Sequence, residues 1–300
     1  FTWWLNELVT SSKRRVEYSA VTAFAPVLAL FPVWLGAVAL LWIPCTLLFD
    51  VPFTHFAIGE FLFGIVLFSR PVQRLLFVRL LGTRQPTEIE RAHLEPAWKV
   101  VEQQVGIRPG RFVLSVADVD DINAFACGGH MLVVSAFSIE HLTEDEITGV
   151  LAHELSHHLG GHTIALTIAQ WMSMPILGLA QLGIRVRDIG LRISKRLEVK
   201  YATFKLVGWI INIVLTSLSR VLLVGFLLAQ SLGEIVGRSA EFQADRRAHA
   251  MGFGRELRYA LTRVIHRTPA NEPKQFLSRV LLSHPPAIDR VARLDAMLNR

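Results

Sequence analysis

The chain has 300 residues, of which 52% are apolar and 19% charged, with a formal net charge of +6. This is too apolar for an ordinary soluble domain of its length. The positive charge does not call for nucleic acid, because Lys and Arg mostly flank apolar runs, where anionic lipid headgroups are the expected partner.

Lys13, Arg14 and Arg15 precede a charge-free run from Ala20 to Phe49, long enough to cross the hydrocarbon core of a bilayer. It is too long for the apolar core of a cleaved signal peptide and is read as a retained span. A shorter run from Val51 to Ser69, interrupted only by Glu60, is a second candidate span, and Arg70, Arg74, Arg79 and Arg84 follow it. The turn between the runs has no Lys or Arg, so the positive-inside rule places both ends of this hairpin in the cytoplasm.

Thr87 and Glu90 have the spacing of a capping box, which predicts a helix closed by Gly106, with Pro96 a candidate break. Three β-like runs follow at 111–116, 122–127 and 131–135, separated by Asp and Gly, as in a small sheet or hairpin. A sheet edge there could take an extended peptide by strand addition. Thr143 and Glu146 form a second capping box, and Ile147, Val150, Leu151, Leu155 and Leu159 continue at helical spacing.

Thr163 to Ile184 carries no charge and predicts a third span. The basic loop 185–205 follows, and a fourth candidate span, 206–233, is interrupted only by Arg220. The positive-inside rule would not place that loop outside, so either the first hairpin dictates orientation or these two spans do not cross fully. An unpaired charge at membrane depth costs on the order of 3 kcal/mol or more, so an ion pair between Glu60 and Arg220 is one of two readings of equal weight. The alternative is that each faces a watery cleft or snorkels. Ser239 to Ala250 resumes helical patterning, and a last helix after Pro285-Pro286 carries Ile288, Val291, Leu294 and Met297 on one stripe.

Within the helix opened by Thr143, His153-Glu154-Leu155-Ser156-His157 places two imidazoles four residues apart, on one face, with a carboxylate beside the first. Both rings can reach one Zn²⁺ while Glu154 addresses its bound water. A catalytic zinc needs a third protein ligand. His162 is a weak candidate, since the metzincin spacing would put histidine at 163, where threonine stands. Glu241, on a separate helix, fits the His₂Glu class better, and Asp245 one turn later could hold a ligand imidazole. His158, His130, His249 and His266 are read as packing or surface residues, His162 as a candidate support for a ligand, and Cys45 and Cys127 as neither a disulfide nor a metal site.

Taken together, His153-Glu154-x-x-His157 and Glu241-x-x-Ala244-Asp245 across a membrane hairpin resemble the HtpX-type membrane zinc metalloendopeptidases, a group related to the CaaX prenyl endopeptidase and the Oma-type proteases. Asn123-Ala124-Phe125-Ala126 looks like the family's strand beside the cleft, His284-Pro285-Pro286 like its C-terminal His-Pro element, and Arg290 like the arginine after it. Cys127 stands where many relatives have a small hydroxyl residue.

The resemblance implies a mainly α fold with a small β-sheet, in which multi-span membrane helices accompany a gluzincin-type zinc peptidase domain. The expected plan is an N-terminal membrane hairpin (1–85), a first peptidase part (86–162), a second membrane hairpin (163–233) and a second peptidase part (234–300). It also implies one Zn²⁺ per chain on His153, His157 and Glu241, Glu154 as general base, and His284 or Arg290 as oxyanion electrophile. Asp245 would orient a ligand, and Asn123, Ala124 and Phe125 would meet substrate. The expected protein is a multi-pass endopeptidase of the zinc-dependent hydrolase class in the bacterial inner membrane, its catalytic domain cytoplasmic. Its substrates would be proteins or peptides, chiefly membrane proteins under quality control. The competing readings are a narrow-specificity CaaX-like processing enzyme, an inert zinc-bound scaffold and, least favoured, a channel or transporter built around Glu60 and Arg220.

Overall fold

The structure, a computed structural model, describes residues 22–196, 202–267 and 286–299. The chain divides into two units. One takes Ala25–Ile65 and Ile168–Gly233; the other takes Val66–Thr167 and the described residues from Glu234 onward.

The first unit is entirely helical. Helix α1 (Ala25–Cys45) is 21 residues long and charge-free. Helix α2 (Phe53–Phe63) passes at Gly64 into a 3-10 stretch, Gly64–Phe68. These 16 residues rise only about 26 Å, short of a 30 Å hydrocarbon core. Three helical stretches among the described residues are long and apolar enough to cross a membrane: Ala25–Cys45, His162–Arg192 and Leu206–Ala250. The run 51–69 is therefore a shorter apolar helix beside three candidate spans, not a fourth of full length.

The other two spans belong to longer helices than the sequence suggested. Helix α7 (His162–Arg196) has 35 residues and α8 (Ala202–Ala250) has 49. The patterning at 239–250 is not a new helix; it is the last three turns of α8. Gly233 and Gly237 each cost about 1 kcal/mol relative to Ala in a helix interior, yet α8 runs through both. This unit packs on Leu30, Trp34, Val38, Met172, Ile176 and Leu222. Many other large apolar side chains face outward, with Leu28 70%, Trp209 61% and Val221 67% exposed, as a lipid-facing surface requires.

The expected Glu60–Arg220 pair is not formed. Glu60 accepts a hydrogen bond from Trp34 Nε1 at 2.9 Å, and Arg220 lies on an exposed face of α8. Trp171 Nε1 donates to the Glu60 backbone oxygen at 3.2 Å, and any side chain at Gly64 would collide with the Trp171 ring. Two indole donors anchor α2 where an arginine was expected.

The second unit is an α/β assembly. Helix α3 (Arg70–Leu81) leads to β1 (Thr83–Arg84), and α4 (Glu88–Val105) follows, its Thr87/Glu90 capping box formed and Gly106 left-handed at its end. Strands β2 (Val113–Ala117), β3 (Ala124–Cys127) and β4 (Met131–Ser135) coincide closely with the three sequence runs. The sheet order is β1-β2-β4-β3, with β2 and β4 parallel and the outer pairs antiparallel. The two-residue β1 was not foreseen.

Helices α5 (Ala136–His141) and α6 (Glu144–Leu159) follow, then the end of α8, α9 (Gly254–Arg267) and α10 (Ala287–Leu298). The core joins Leu94, Val101, Leu132, Leu151, Leu155, Leu257 and Leu294. Helix α9 was not anticipated, although Leu257, Leu261 and Val264 have helical spacing. On α10, Leu294 is buried but Ile288 is 64% exposed, so the predicted stripe holds only for its C-terminal part. A Cβ at Gly149 would lie 2.3 Å from the Leu257 backbone nitrogen. Only glycine there lets α6 and α9 approach this closely.

Candidate metal centre

Helix α6 is fixed at both levels that matter for a site. Its first turn is closed by reciprocal bonds, Glu146 N–H to Thr143 Oγ1 at 3.3 Å and Thr143 N–H to Glu146 Oε2 at 2.8 Å. Arg263 Nε on α9 donates to the other Glu146 oxygen at 2.6 Å. Buried Leu151 and Leu155 then turn the opposite face of the helix, with His153, Glu154 and His157, away from the main core.

His153 and His157 stand with their Nε2 atoms 3.3 Å apart. Glu241, carried in by α8, completes a triangle: Oε2 is 3.2 Å from His153 Nε2 and Oε1 is 3.1 Å from His157 Nε2. The three residues are buried, and these atoms converge within the span of a single ion. Bonds of 2.0–2.1 Å at tetrahedral angles put donors about 3.3 Å apart, so two imidazoles and a carboxylate in this arrangement fit a zinc-sized divalent ion. His162 is not one of the converging donors; its ring meets that of His157 edge-on at 5.9 Å between centroids. Burial, then the neighbouring charges of His157 and Arg247, press its pKa down to about 4.

A second layer holds the first. Asp245, one turn after Glu241, accepts from His153 Nδ1 at 2.9 Å, which leaves Nε2 of that ring aimed at the other donors. Arg290, from α10, grips Asp245 through Nε at 2.9 Å and Nη2 at 2.6 Å. It reaches Glu241 Oε2 at 3.5 Å and is almost fully buried. Burial works to raise the Asp245 pKa, but the bonds and charges of His153 and Arg290 win and hold it at about 2. Burial and the Arg290 charge oppose protonation of His153, yet the bonds to Asp245 and Glu241 raise it to about 9. Metal binding at this ring therefore displaces a proton.

Glu154 is 3% exposed, and among the described residues nothing donates a hydrogen bond to its carboxylate. Its charge is felt at Cys127, whose thiol is pushed up to about 12 by burial first and Glu154 second. That coupling brings the end of β3 beside the base. The segment 123–127 is one of the two edges of the sheet among the described residues. Ser135 N–H donates to Asn123 O at 2.9 Å, so residues 123, 125 and 127 bond toward β4, and Ala124 and Ala126 direct their N–H and C=O outward. Asn123 N–H is held by Ser138 Oγ at 2.9 Å; Ser135 and Ser138, which the sequence reading passed over, thus fix the start of that edge. Phe125 lies mid-strand.

His158 behaves as a packing residue. Its Nε2 meets Met131 O at 2.8 Å and its Nδ1 meets Thr163 Oγ1 at 3.1 Å, and burial lowers its pKa to about 4. His284, the other candidate electrophile, lies outside the described residues.

Two imidazoles and a glutamate from two helices, a free carboxylate beside them and an open strand edge define a metal-dependent peptidase site. The profile of peptidase family M48 matches residues 88–298, and the chain belongs to that family. It is 30% identical over 210 residues to Protease HtpX of Vibrio atlanticus, covering 65% of this chain and 69% of that protein. It is 29% identical over 207 residues to Protease HtpX of Vibrio parahaemolyticus, covering 64% and 68%. The crystal structure of S. mikatae Ste24p aligns over 98% of this chain and 66% of its own, with a TM-score of 0.47 and 17% identity.

Proposed function

We propose that the chain is a zinc endopeptidase acting on membrane proteins in quality control, embedded in a bacterial inner membrane with its catalytic unit on the cytoplasmic side. The observation that carries the catalytic part is the convergence of His153, His157 and Glu241 beside an unpartnered Glu154. One zinc ion held by those three donors would act as a Lewis acid on the scissile carbonyl and bring the pKa of water from 15.7 to about 7.

The chain's own residues do the rest. An extended substrate segment adds to the outer edge of β3, where Ala124 and Ala126 offer backbone donors and acceptors in ladder register. The Glu154 carboxylate takes a proton from the attacking water and returns it to the leaving amine. Asp245 holds the His153 tautomer, and Arg290 keeps Asp245 and Glu241 in place. Arg290 is thus a positioning residue here, because its guanidinium lies against those two carboxylates and the His153 ring.

The membrane part of the reading rests on the three apolar helices and on the relatives named Protease HtpX. The cytoplasmic orientation follows from the basic residues after 69. The test is cleavage of casein by detergent-purified, zinc-loaded chain beside Glu154→Gln prepared identically. Cleavage by the parent should fall by about 10²-fold or more in the variant. Equal cleavage by both would remove Glu154 as the base.

A further inference from the structure

The sheet has a second edge, remote from β3, and the chain leaves it unfinished. Thr83 pairs with Ala117 and Arg84 with Val116, and β1 goes no further. Val113 N–H donates to His130 O on the β4 side at 2.8 Å, so alternation along the strand turns the N–H and C=O of Leu114 to the opposite edge, where Val116 meets Arg84. Continued by two residues, the antiparallel register would set Pro86 opposite Leu114. Proline has no N–H to give to the Leu114 carbonyl, and the chain turns away to Thr87, the cap of α4.

What remains is an open cavity of about 450 Å³ between Gln85, Pro86, Leu114 and α4, with Trp98 and Phe112 in its floor. Along the α4 wall stand Arg91, Glu95, Lys99 and Glu102, so the charges alternate in sign at intervals of about one turn, roughly 5 to 6 Å. In an extended peptide, side chains on one face recur every 6.7 Å or so. Arg91 and Glu95 lie 3.8 Å apart as an ion pair, so backbone and wall match an extended segment with an acid beside Lys99 and a base beside Glu102.

We propose that this groove is a second polypeptide-binding site, which takes an extended segment of the substrate by strand addition at Leu114. The proposal rests on the peptidase reading for the identity of its occupant. Strands β2, β4 and β3 lie between the two bound positions, which are four spacings of about 4.8 Å, roughly 19 Å, apart. A hexapeptide on the catalytic edge has no length left to lie along both, whereas an unfolded chain can. Its second contact then becomes intramolecular and raises its capture without any change in the chemistry.

The test places a photoreactive benzoylphenylalanine at Lys99, or at Val100 on another face of α4, in the 300-residue chain carrying Glu154→Gln in detergent, irradiated with carboxymethylated casein. Crosslinking at position 99 several times that at 100 is expected; equal crosslinking at both would overturn the proposal. In the otherwise intact chain, Lys99→Trp lays a ring across the groove. The ratio of KM for casein to KM for a hexapeptide should rise about tenfold, and an unchanged ratio would count against the site. Because the crosslinking arm uses a chain without the base, it reports on the groove even if the parent fails to cleave casein, which would instead sink the peptidase reading.

Discussion

The two units solve opposite problems with the same residue types. Around the metal centre the apolar side chains are inside and the ionised ones are buried with them, and all but Glu154 are answered by a partner: His153 by Asp245, Asp245 by Arg290, Glu241 by both imidazoles. In the helical unit the apolar side chains face outward, and Glu60 is half-buried and answered by a neutral indole. Charge is kept in the first by dense mutual pairing and tolerated in the second by a single neutral donor. The difference teaches where disruption is expensive: a buried charge stripped of its partner has no water to turn to.

The comparison can be broken most sharply at Asp245. Asp245→Asn strips the Arg290 guanidinium of its nearest carboxylate charge, leaving Glu241 at 3.5 Å and the His153 ring at 3.2 Å, and should cost about 3–5 kcal/mol of stability, read as a large drop in thermal midpoint in detergent. A drop no greater than that of an exposed substitution would show that the pairing is dispensable. Next is Gly149→Ala, which pushes a methyl group into the Leu257 backbone. Overpacking of this kind costs about 1–3 kcal/mol and should also tilt the base and ligands on α6, so activity should fall with the midpoint.

In the helical unit, Trp34→Phe removes the donor to Glu60 while keeping most of the ring packing. About 1 kcal/mol is expected, and an effect as large as that of Asp245→Asn would erase the contrast between the units. The smallest effect lies at the surface of the metal-bearing unit, where Arg84, and then the Thr87 cap, hold the Glu90 pKa at about 2 against an ordinary 4.5. A depressed carboxylate contributes stability above its unfolded value and loses it as pH falls through the folded one. The parent should therefore lose more stability between pH 5 and about 2 than Glu90→Gln does, in a denaturant titration.

Legibility in the sequence followed the range of the interactions. The two capping boxes, the three strands and the His153-x-x-x-His157 face are local patterns, and the structure has them where the residues place them. Glu241 and Asp245 are separated from His153 by two long apolar helical stretches, yet their i and i+4 spacing marked one helix face. The role of Arg290 was not readable, since only the docking of α10 decides whether its guanidinium meets substrate or Asp245. Glu60 misled for a related reason: charge sign suggests an arginine partner, whereas here a single neutral indole donates to the carboxylate and leaves no signal in a charge pattern. The continuity of α8 past Gly233 and Gly237 runs against the ordinary helix cost of glycine.

The most direct test of the account is the metal content of three purified chains by elemental analysis: the parent, Glu154→Gln and Glu241→Gln. One zinc per chain is expected in the parent and in Glu154→Gln, because the base is not a ligand, and a marked loss in Glu241→Gln, which gives up an anionic donor. Full zinc in Glu241→Gln, or loss of zinc in Glu154→Gln, would contradict the assignment of ligand and base on which everything else depends.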